Sequence, residues 1–310
     1  MTVRPPGAPA LQNFRYSDID QYRQAVRSID VEFTPLSRRI SAHQTVLHLR
    51  GCDINLIRSF PRLLDAELAR NCTAVGFTMD DRFPIRFNGV ENDRSLLTVG
   101  HGGAGYKSLE SVATQFASIM FTPEIKGRGW PAIGRQFAIF AITGASQQRL
   151  RDLVLEVLKF AGESPDALQV PGARTGIRDS LLAAVDQALA TASSAQIGSR
   201  SSNRQFYMVQ KIEDIVRADI AAPIYSEELA RQLGVSVSAM DSAVLQFRGM
   251  SLHRYLRSKR LWLVRRQLLA GEVSVKACAL AHGFWHLGDF SKSYRLVFDE
   301  TPSQTLKNAR

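Results

Sequence analysis

LARQLGVSVSAMDSAVLQF, residues 229–247, and CALAHGFWHLGDFSKSYRLVF, residues 278–298, are two copies of one pattern. Each begins with a short helical run in which a small residue, Ala230 or Ala279, permits close approach of a second helix. Gly234 and Gly283 each stand four residues later, where the first helix must end. Glycine takes the left-handed conformation of such a stop without steric penalty. Val235 and Phe284 follow as apolar plugs under the turn. Ser236 is placed to cap the second helix of the first copy, and Ser274 the first helix of the second copy. The second helices are expected over 237–247 and 286–297. Met240, Val244 and Phe247 in one, and Phe290, Tyr294 and Val297 in the other, recur there at three- and four-residue spacing. One face of each helix is then core, and the opposite face is free to enter a DNA groove. The repeat predicts a duplicated helix-turn-helix.

Between the copies, residues 251–270 contain Leu252, Tyr255, Leu256, Leu261, Leu263, Val264 and Leu268 and no interior Gly or Pro, which predicts one long helix. At about 1.5 Å per residue it spans roughly 30 Å, close to the ~34 Å between successive major-groove faces on one side of B-DNA. Arg248, Arg254, Arg257, Lys259, Arg260, Arg265 and Arg266 fall in and beside it with no acidic residue among them. That run suits phosphate neutralisation or an ordinary solvated face.

On these residues, 226–310 resembles the DNA-binding domain of the AraC/XylS transcriptional regulators. VKACALAHGFWHLGDFSKSYRLVFDETPSQTL, residues 275–306, is similar to the family signature, with turn glycine, aromatic core, Phe298 and the closing Thr301-Pro302-Ser303 in order. Its GFWHLG segment resembles the branch of XylS-type and ethanolamine-operon activators. The resemblance implies seven helices in two subdomains joined by the long one, each subdomain inserting a recognition helix into the major groove of promoter DNA. It also implies contact with RNA polymerase. Carried over by position, the DNA-facing residues of the first copy are Val237, Ser238, Asp241 and Ser242, with Gln246 and Arg248 near backbone or a base edge. In the second copy they are His286, Gly288, Asp289, Lys292 and Arg295. The first set lacks the long side chains the family usually carries there, and serine supplies only one short hydrogen bond to a base. Asp289 suits a cytosine amino group, and Lys292 suits guanine or phosphate. Val244 replaces a customary phenylalanine, and Asp299 a customary glycine, which aspartate can imitate in the left-handed region. Trp285 reads as core.

Length and charge set outer limits. A chain of 310 residues is long enough for two domains with real cores. The net charge of +10 favours an acidic partner only weakly, because it divides evenly: 15 Lys/Arg against 10 Asp/Glu from residue 205 onward, and 24 against 19 before it. Cys52, Cys72 and Cys278 form no CxxC pair and no metal-ligand spacing, which reads as buried thiols in a reducing cytoplasm. Residues 1–10 are Pro-rich without an apolar leader core, and no apolar run reaches the ~18 residues that cross a bilayer. A soluble, unexported protein with no membrane partner is expected.

The first half reads differently. A short helix is expected over 14–25, then β-favouring runs at 45–49, 54–59, 74–79, 85–87, 95–99 and 116–121, with Asn88-Gly89 as a hairpin turn. Such spacing predicts a small sandwich or barrel, and the resemblance implies a cupin-like sensing or dimerising domain. Leu150, Leu153, Val154, Val157, Leu158 and Ala161 mark an amphipathic helix, open to two readings: intramolecular core or a homodimer interface. Another helix is expected over 176–192. Residues 190–202, rich in Ala, Ser and Gly, read as the linker, followed by a helix over 203–219. The expected organisation is α+β: a β sandwich or barrel with helices at 1–190 that senses an effector, a linker at 191–204, and an all-α domain of two helix-turn-helix units at 205–310.

A different class of function is raised by GHGGAGYKS, from Gly100 to Ser108, which contains a GxGxxG and approaches a phosphate-binding loop. There, however, Tyr106 separates the last glycine from Lys107, and no acidic residue stands at the distance a dinucleotide fold requires. A glycine-rich connection between strands is the better reading. His43, His48 and His101 lack the close His-x-His pattern of a cupin metal site, and no Gly-x-Ser-x-Gly is present. No catalytic residue, cofactor or metal is expected. The sequence predicts a bacterial-type transcription factor, an activator by resemblance, controlled by a small molecule or partner on its first domain.

Overall fold

The computed structural model describes residues 10–26, 29–80, 85–91, 95–130, 134–192, 200–221, 225–271 and 274–309. The chain forms two compact units, residues 1–33 with 39–199, and residues 34–38 with 200–310. Half of the expected linker, 193–199, and the Pro-rich 1–9 lie outside the described residues.

The first unit runs β1 (Leu11–Tyr16), α1 (Ile19–Ala25), β2 (Ile29–Pro35), β3 (Ala42–Leu49), β4 (Cys52–Ser59), β5 (Arg62–Leu68), β6 (Thr73–Thr78), β7 (Ile85–Phe87), β8 (Val90–Glu91), β9 (Leu96–His101), β10 (Gly105–Glu110), β11 (Thr114–Phe121), β12 (Ala138–Ala141), α2 (Gly144–Glu163) and α3 (Pro171–Ala190). The strands form two antiparallel sheets, ordered β1-β3-β4-β11-β6-β9-β12 and β2-β5-β10-β7-β8. They make a β-sandwich. Alternate residues of the larger sheet face opposite ways. Val75, Phe77, Val99, Ile119 and Phe121 share one core with Leu150, Val154, Leu181 and Val185 of α2 and α3. Ala74 and Met120 pack on the other side with Leu68 and Ala104. Central β6 is therefore covered on both faces and buried at every position.

All six expected strands are present within a few residues of their predicted bounds, and Asn88 and Gly89 take positive φ (45° and 77°) in the β7–β8 turn. The Gly100 to Ser108 stretch is a strand connection, with β9 ending at His101, β10 starting at Gly105 and Gly103 at φ 80° between them. The expected helix over 14–25 is shorter. Phe14 to Tyr16 belong to β1, and the helix starts after Asp18, whose carboxylate accepts from Gln21 N at 2.8 Å. The Leu150–Ala161 stripe is intramolecular core: Leu150, Val154, Val157, Leu158 and Ala161 are buried against the sheet. The first half of α2 is pinned to the end of β6, Arg151 Nε donating to Thr78 O at 2.8 Å.

The second unit contains α4 (Arg200–Ala218), α5 (Ser226–Leu233), α6 (Val237–Arg248), α7 (Leu252–Leu269), α8 (Val275–Ala281), α9 (Leu287–Phe298) and α10 (Pro302–Ala309), seven helices among the described residues. Ser236, Ser251 and Ser274 cap α6, α7 and α8 through their hydroxyls. Each such cap is worth about 1 kcal/mol. Leu261, Val264 and Leu268 of α7 pack on Cys278, Phe290, Tyr294 and Phe298. At the other end, the aromatic rings of Phe206 in α4 and Phe247 in α6 meet at 6.2 Å. One long helix thus serves two small cores. Asp299 takes the left-handed conformation, φ 55°, after α9, as expected for an aspartate in place of glycine.

Candidate nucleic-acid interface

The two turns are built alike but differ by one residue. Val235 N bonds Ala230 O, and Phe284 N bonds Ala279 O, closing each first helix in the same way. From there α6 starts three residues after Gly234, whereas α9 starts four after Gly283. The residue added in the second turn is Trp285, and it is 66% exposed. Its reading as core is corrected: the core position under the turn is taken by Phe284, packed on Phe290 with centroids 5.0 Å apart. A larger indole beside it has no room inside and bulges outward.

Gly234 and Gly283 both adopt the left-handed conformation, φ 66° and 76°. A Cβ on Gly234 meets nothing within 4 Å, but one on Gly283 lies 2.7 Å from Ala221 O. Gly234→Ala should cost roughly 1–2 kcal/mol of conformational strain, and Gly283→Ala should cost clearly more, because the backbone must also shift. Equilibrium urea unfolding of both variants checks the order; equal costs would mean that the contact with Ala221 is not rigid.

On α6, Met240, Ala243, Val244 and Phe247 are buried, and Ser238, Asp241 and Ser242 form the exposed face, with Val237 and Gln246 half-buried at its edges. On α9, Phe290, Tyr294 and Phe298 are buried, and Gly288, Asp289, Lys292 and Arg295 are exposed together, after an exposed His286 at the N-cap. The structure brings ten of the eleven expected residues to the outer face or its margin. Arg248 is the exception. It is 0% exposed, its NH2 donates to Glu213 Oε1 at 2.7 Å, and its guanidinium lies over the Tyr255 ring at 5.0 Å. At the twelfth position of α6 it falls on the buried stripe with Val244 and Phe247, so it supports the core and touches no groove.

The basic run is divided in the same way. Lys259 Nζ donates to Glu213 Oε2 at 2.9 Å, Arg260 Nε donates to Ile220 O at 2.7 Å, and Arg265 pairs with Glu300 over the Phe298 ring. These are structural cations. Arg254, Arg257 and Arg266 remain exposed on α7. Arg257 also donates to Ser293 Oγ, which itself donates to Asp289 O at 2.6 Å, so α7 steadies the middle of α9. Burial pushes the Cys278 thiol up to about 11, and Cys52 and Cys72 are likewise buried and raised by burial.

One residue on the first helix escaped the sequence reading. Leu245, 56% exposed, lies seven residues after Ser238 and three after Ser242, in the middle of the outer face of α6. It occupies the ninth position of its helix, as Arg295 does in α9. The signal was an apolar residue out of phase with Met240, Val244 and Phe247. On α9 the exposed apolar residue is Leu296, 88% exposed, one position further along.

Residues 229–308 match the family of domains described as "Helix-turn-helix domain". Among curated proteins, a XylDLEGF operon transcriptional activator of Pseudomonas putida is 32% identical over 106 residues, covering 33% of this chain and 31% of that protein. A probable thc operon regulatory protein of Rhodococcus erythropolis is 28% identical over 103 residues, 32% of this chain and 31% of that protein. The chain thus matches about a third of the length of these relatives. Among solved structures, a probable AraC family transcriptional regulator from Rhodopseudomonas palustris is 34% identical, covering 34% of this chain and 98% of that one, with a TM-score of 0.32.

Proposed function

The chain belongs, through its helical domain, to the AraC/XylS family of DNA-binding transcriptional regulators, a family without enzymatic activity, and from that premise we propose that it reads promoter DNA with two unequal helices under control of its first domain. The observation that carries this reading is the pair of exposed faces on α6 and α9, served by one α7 of 18 residues, about 27 Å long. That length suits two readers on adjacent turns of one duplex. The second helix supplies the charged readers Asp289, Lys292 and Arg295, with His286 and Gly288 at its entry. The first supplies Ser238, Asp241, Ser242 and Leu245, edged by Val237 and Gln246. Arg254, Arg257 and Arg266 add phosphate contacts.

The residues of the β-sandwich and its two helices, up to about 190, form the regulatory domain, joined by the stretch between α3 and α4 to the DNA-binding domain, which opens with α4 at Arg200 rather than at the expected 205. A small molecule or partner bound there biases which sites are occupied. Activation through RNA polymerase is the favoured outcome, in keeping with the activator names of the distant relatives, and the cytoplasm is the compartment in which such a regulator works. A homodimer, if formed, uses a surface other than the buried α2 stripe.

With Leu245 at its centre, the first helix reads a thymine methyl, flanked by the short hydrogen bonds of Ser238 and Ser242. Replacing the contacted thymine by deoxyuracil should weaken binding by about 0.8 kcal/mol, roughly fourfold. Leu245→Ala should lose sensitivity to that replacement. Titration of the full chain against thymine- and uracil-containing duplexes measures both; indifference of the parent chain to every uracil in the first half-site would refute this role.

A further inference from the structure

The first unit has a cleft of about 400 Å³ beside the end of the β3–β4 hairpin. Its walls come from three separate places in the sequence: His48, Arg50 and Asp53 in the hairpin, Met120 in β11, and Pro171 and Arg174 at the start of α3. Gly51 makes this convergence possible. It sits at φ 74°, and a Cβ there would lie 3.2 Å from Thr122 O and 3.6 Å from an Arg178 guanidinium nitrogen. The hairpin tip therefore closes on the first turns of α3.

Arginine outnumbers carboxylate in the cleft. Arg50 and Arg174 are among its lining residues, and Arg178, beside Gly51, is already paired with Asp179 Oδ1 at 2.9 Å. The single carboxylate in the lining, Asp53, is hydrogen-bonded to His48, with Nδ1 and Oδ1 at 3.0 Å. Arg174 is held in place by its Nε, which donates to Leu168 O, and by NH2, which reaches Gln169 Oε1 at 3.4 Å. The 20-residue α3 begins here with Pro171 in its first turn and no side-chain cap, so its positive end is not matched by a side chain of its own. Leu49, Met120 and Pro171 supply apolar surface. A volume in the usual range for small-molecule sites, an apolar wall and a fork-shaped donor are what an organic carboxylate needs, and a purely inorganic anion would leave the apolar wall unused.

We propose that this cleft binds a small organic carboxylate, and that it is the site through which the first domain is controlled. The second half rests on the regulatory reading given above; the first does not.

The test uses the full chain without DNA and the probes hexanoate, phenylacetate and 3-phenylpropionate at millimolar concentration, with chloride at matched ionic strength and inorganic phosphate as comparators. At least one carboxylate should raise the melting temperature saturably, and Arg174→Gln and Arg50→Gln should each weaken its binding roughly tenfold, the loss of one charge-assisted hydrogen bond. Both variants lie at the surface or edge of the unit, and circular dichroism verifies that they fold. No saturable rise with any of the three, equal binding of phosphate, or unchanged affinity in both variants would overturn the site. The same carboxylate should alter the affinity of the parent chain for its DNA and leave that of Arg174→Gln unaltered. Binding that alters DNA affinity in neither would refute the control role alone, and a chain that binds carboxylate but no DNA would refute the regulatory reading and leave the site standing.

Discussion

Glu213→Ala is expected to unfold the helical domain or bring it close to unfolding. Glu213 of α4 is buried, and its two carboxylate oxygens accept from Arg248 NH2 at 2.7 Å, Tyr255 OH at 2.7 Å and Lys259 Nζ at 2.9 Å. Removing the carboxylate strands two buried cations, a loss of about 3–5 kcal/mol, against a total stability of roughly 5–15 kcal/mol for a domain. Urea unfolding followed by circular dichroism should show the helical transition at much lower denaturant. Converting the three partners together to apolar residues, Glu213→Leu with Arg248→Met and Lys259→Met, should recover most of the loss, because the desolvation cost of the charges disappears with them. A Glu213→Ala chain within about 1 kcal/mol of the parent would show that these charges are not buried as a unit. Arg248→Ala should likewise lower stability, whereas a residue that only touched DNA would leave stability unchanged.

The second large effect concerns discrimination between DNA sites. Lys292→Ala and Asp289→Ala should each reduce the preference for the best site over its single-base variants by roughly 1–3 kcal/mol at one position. Ser238→Ala and Ser242→Ala should cost less, near the ~1 kcal/mol of a neutral hydrogen bond. Binding measured across a set of single-base variants separates the two cases. A uniform loss over all sequences, with the slope of log affinity against log salt reduced by about 0.9, would reassign Lys292 to phosphate.

What the sequence made legible was local. Turn glycines, serine caps and the three- and four-residue apolar spacing predicted both helix-turn-helix units and α7 nearly to the residue, because each of those signals acts within one turn of helix. The strands it yielded are five of the seven in the larger sheet, with β7, where apolar residues dominate; the end of β1 was read as helix, and β12 was not predicted. Strands β5 and β10 were missed because they carry charge inward. Lys107 is directly opposite Asp65, and Glu110 opposite Arg62. Both pairs are formed, Lys107 Nζ to Asp65 Oδ1 at 2.5 Å and Arg62 Nε to Glu110 Oε2 at 3.2 Å. A charge that finds its partner more than forty residues away looks like a solvated one in the sequence. The same cause hid Arg248, whose partner Glu213 lies 35 residues earlier. Trp285 was misread for the opposite reason: large aromatic residues near a turn are usually core, and only the extra residue in the second turn, visible once the two copies are aligned by their helix starts, shows that it is pushed out.

On the proposed reading, two helices of this chain read one stretch of duplex DNA, the second more strictly than the first. The direct measurement is selection of the full chain against a pool of randomised duplexes at low and moderate salt, followed by sequencing of the bound fraction. Enrichment of a two-part site is expected, its parts about one helical turn apart, with sharper base preference in the part lost on Lys292→Ala and a thymine-centred preference in the part altered by Leu245→Ala. A bound fraction with no enriched sequence at either salt concentration would contradict it.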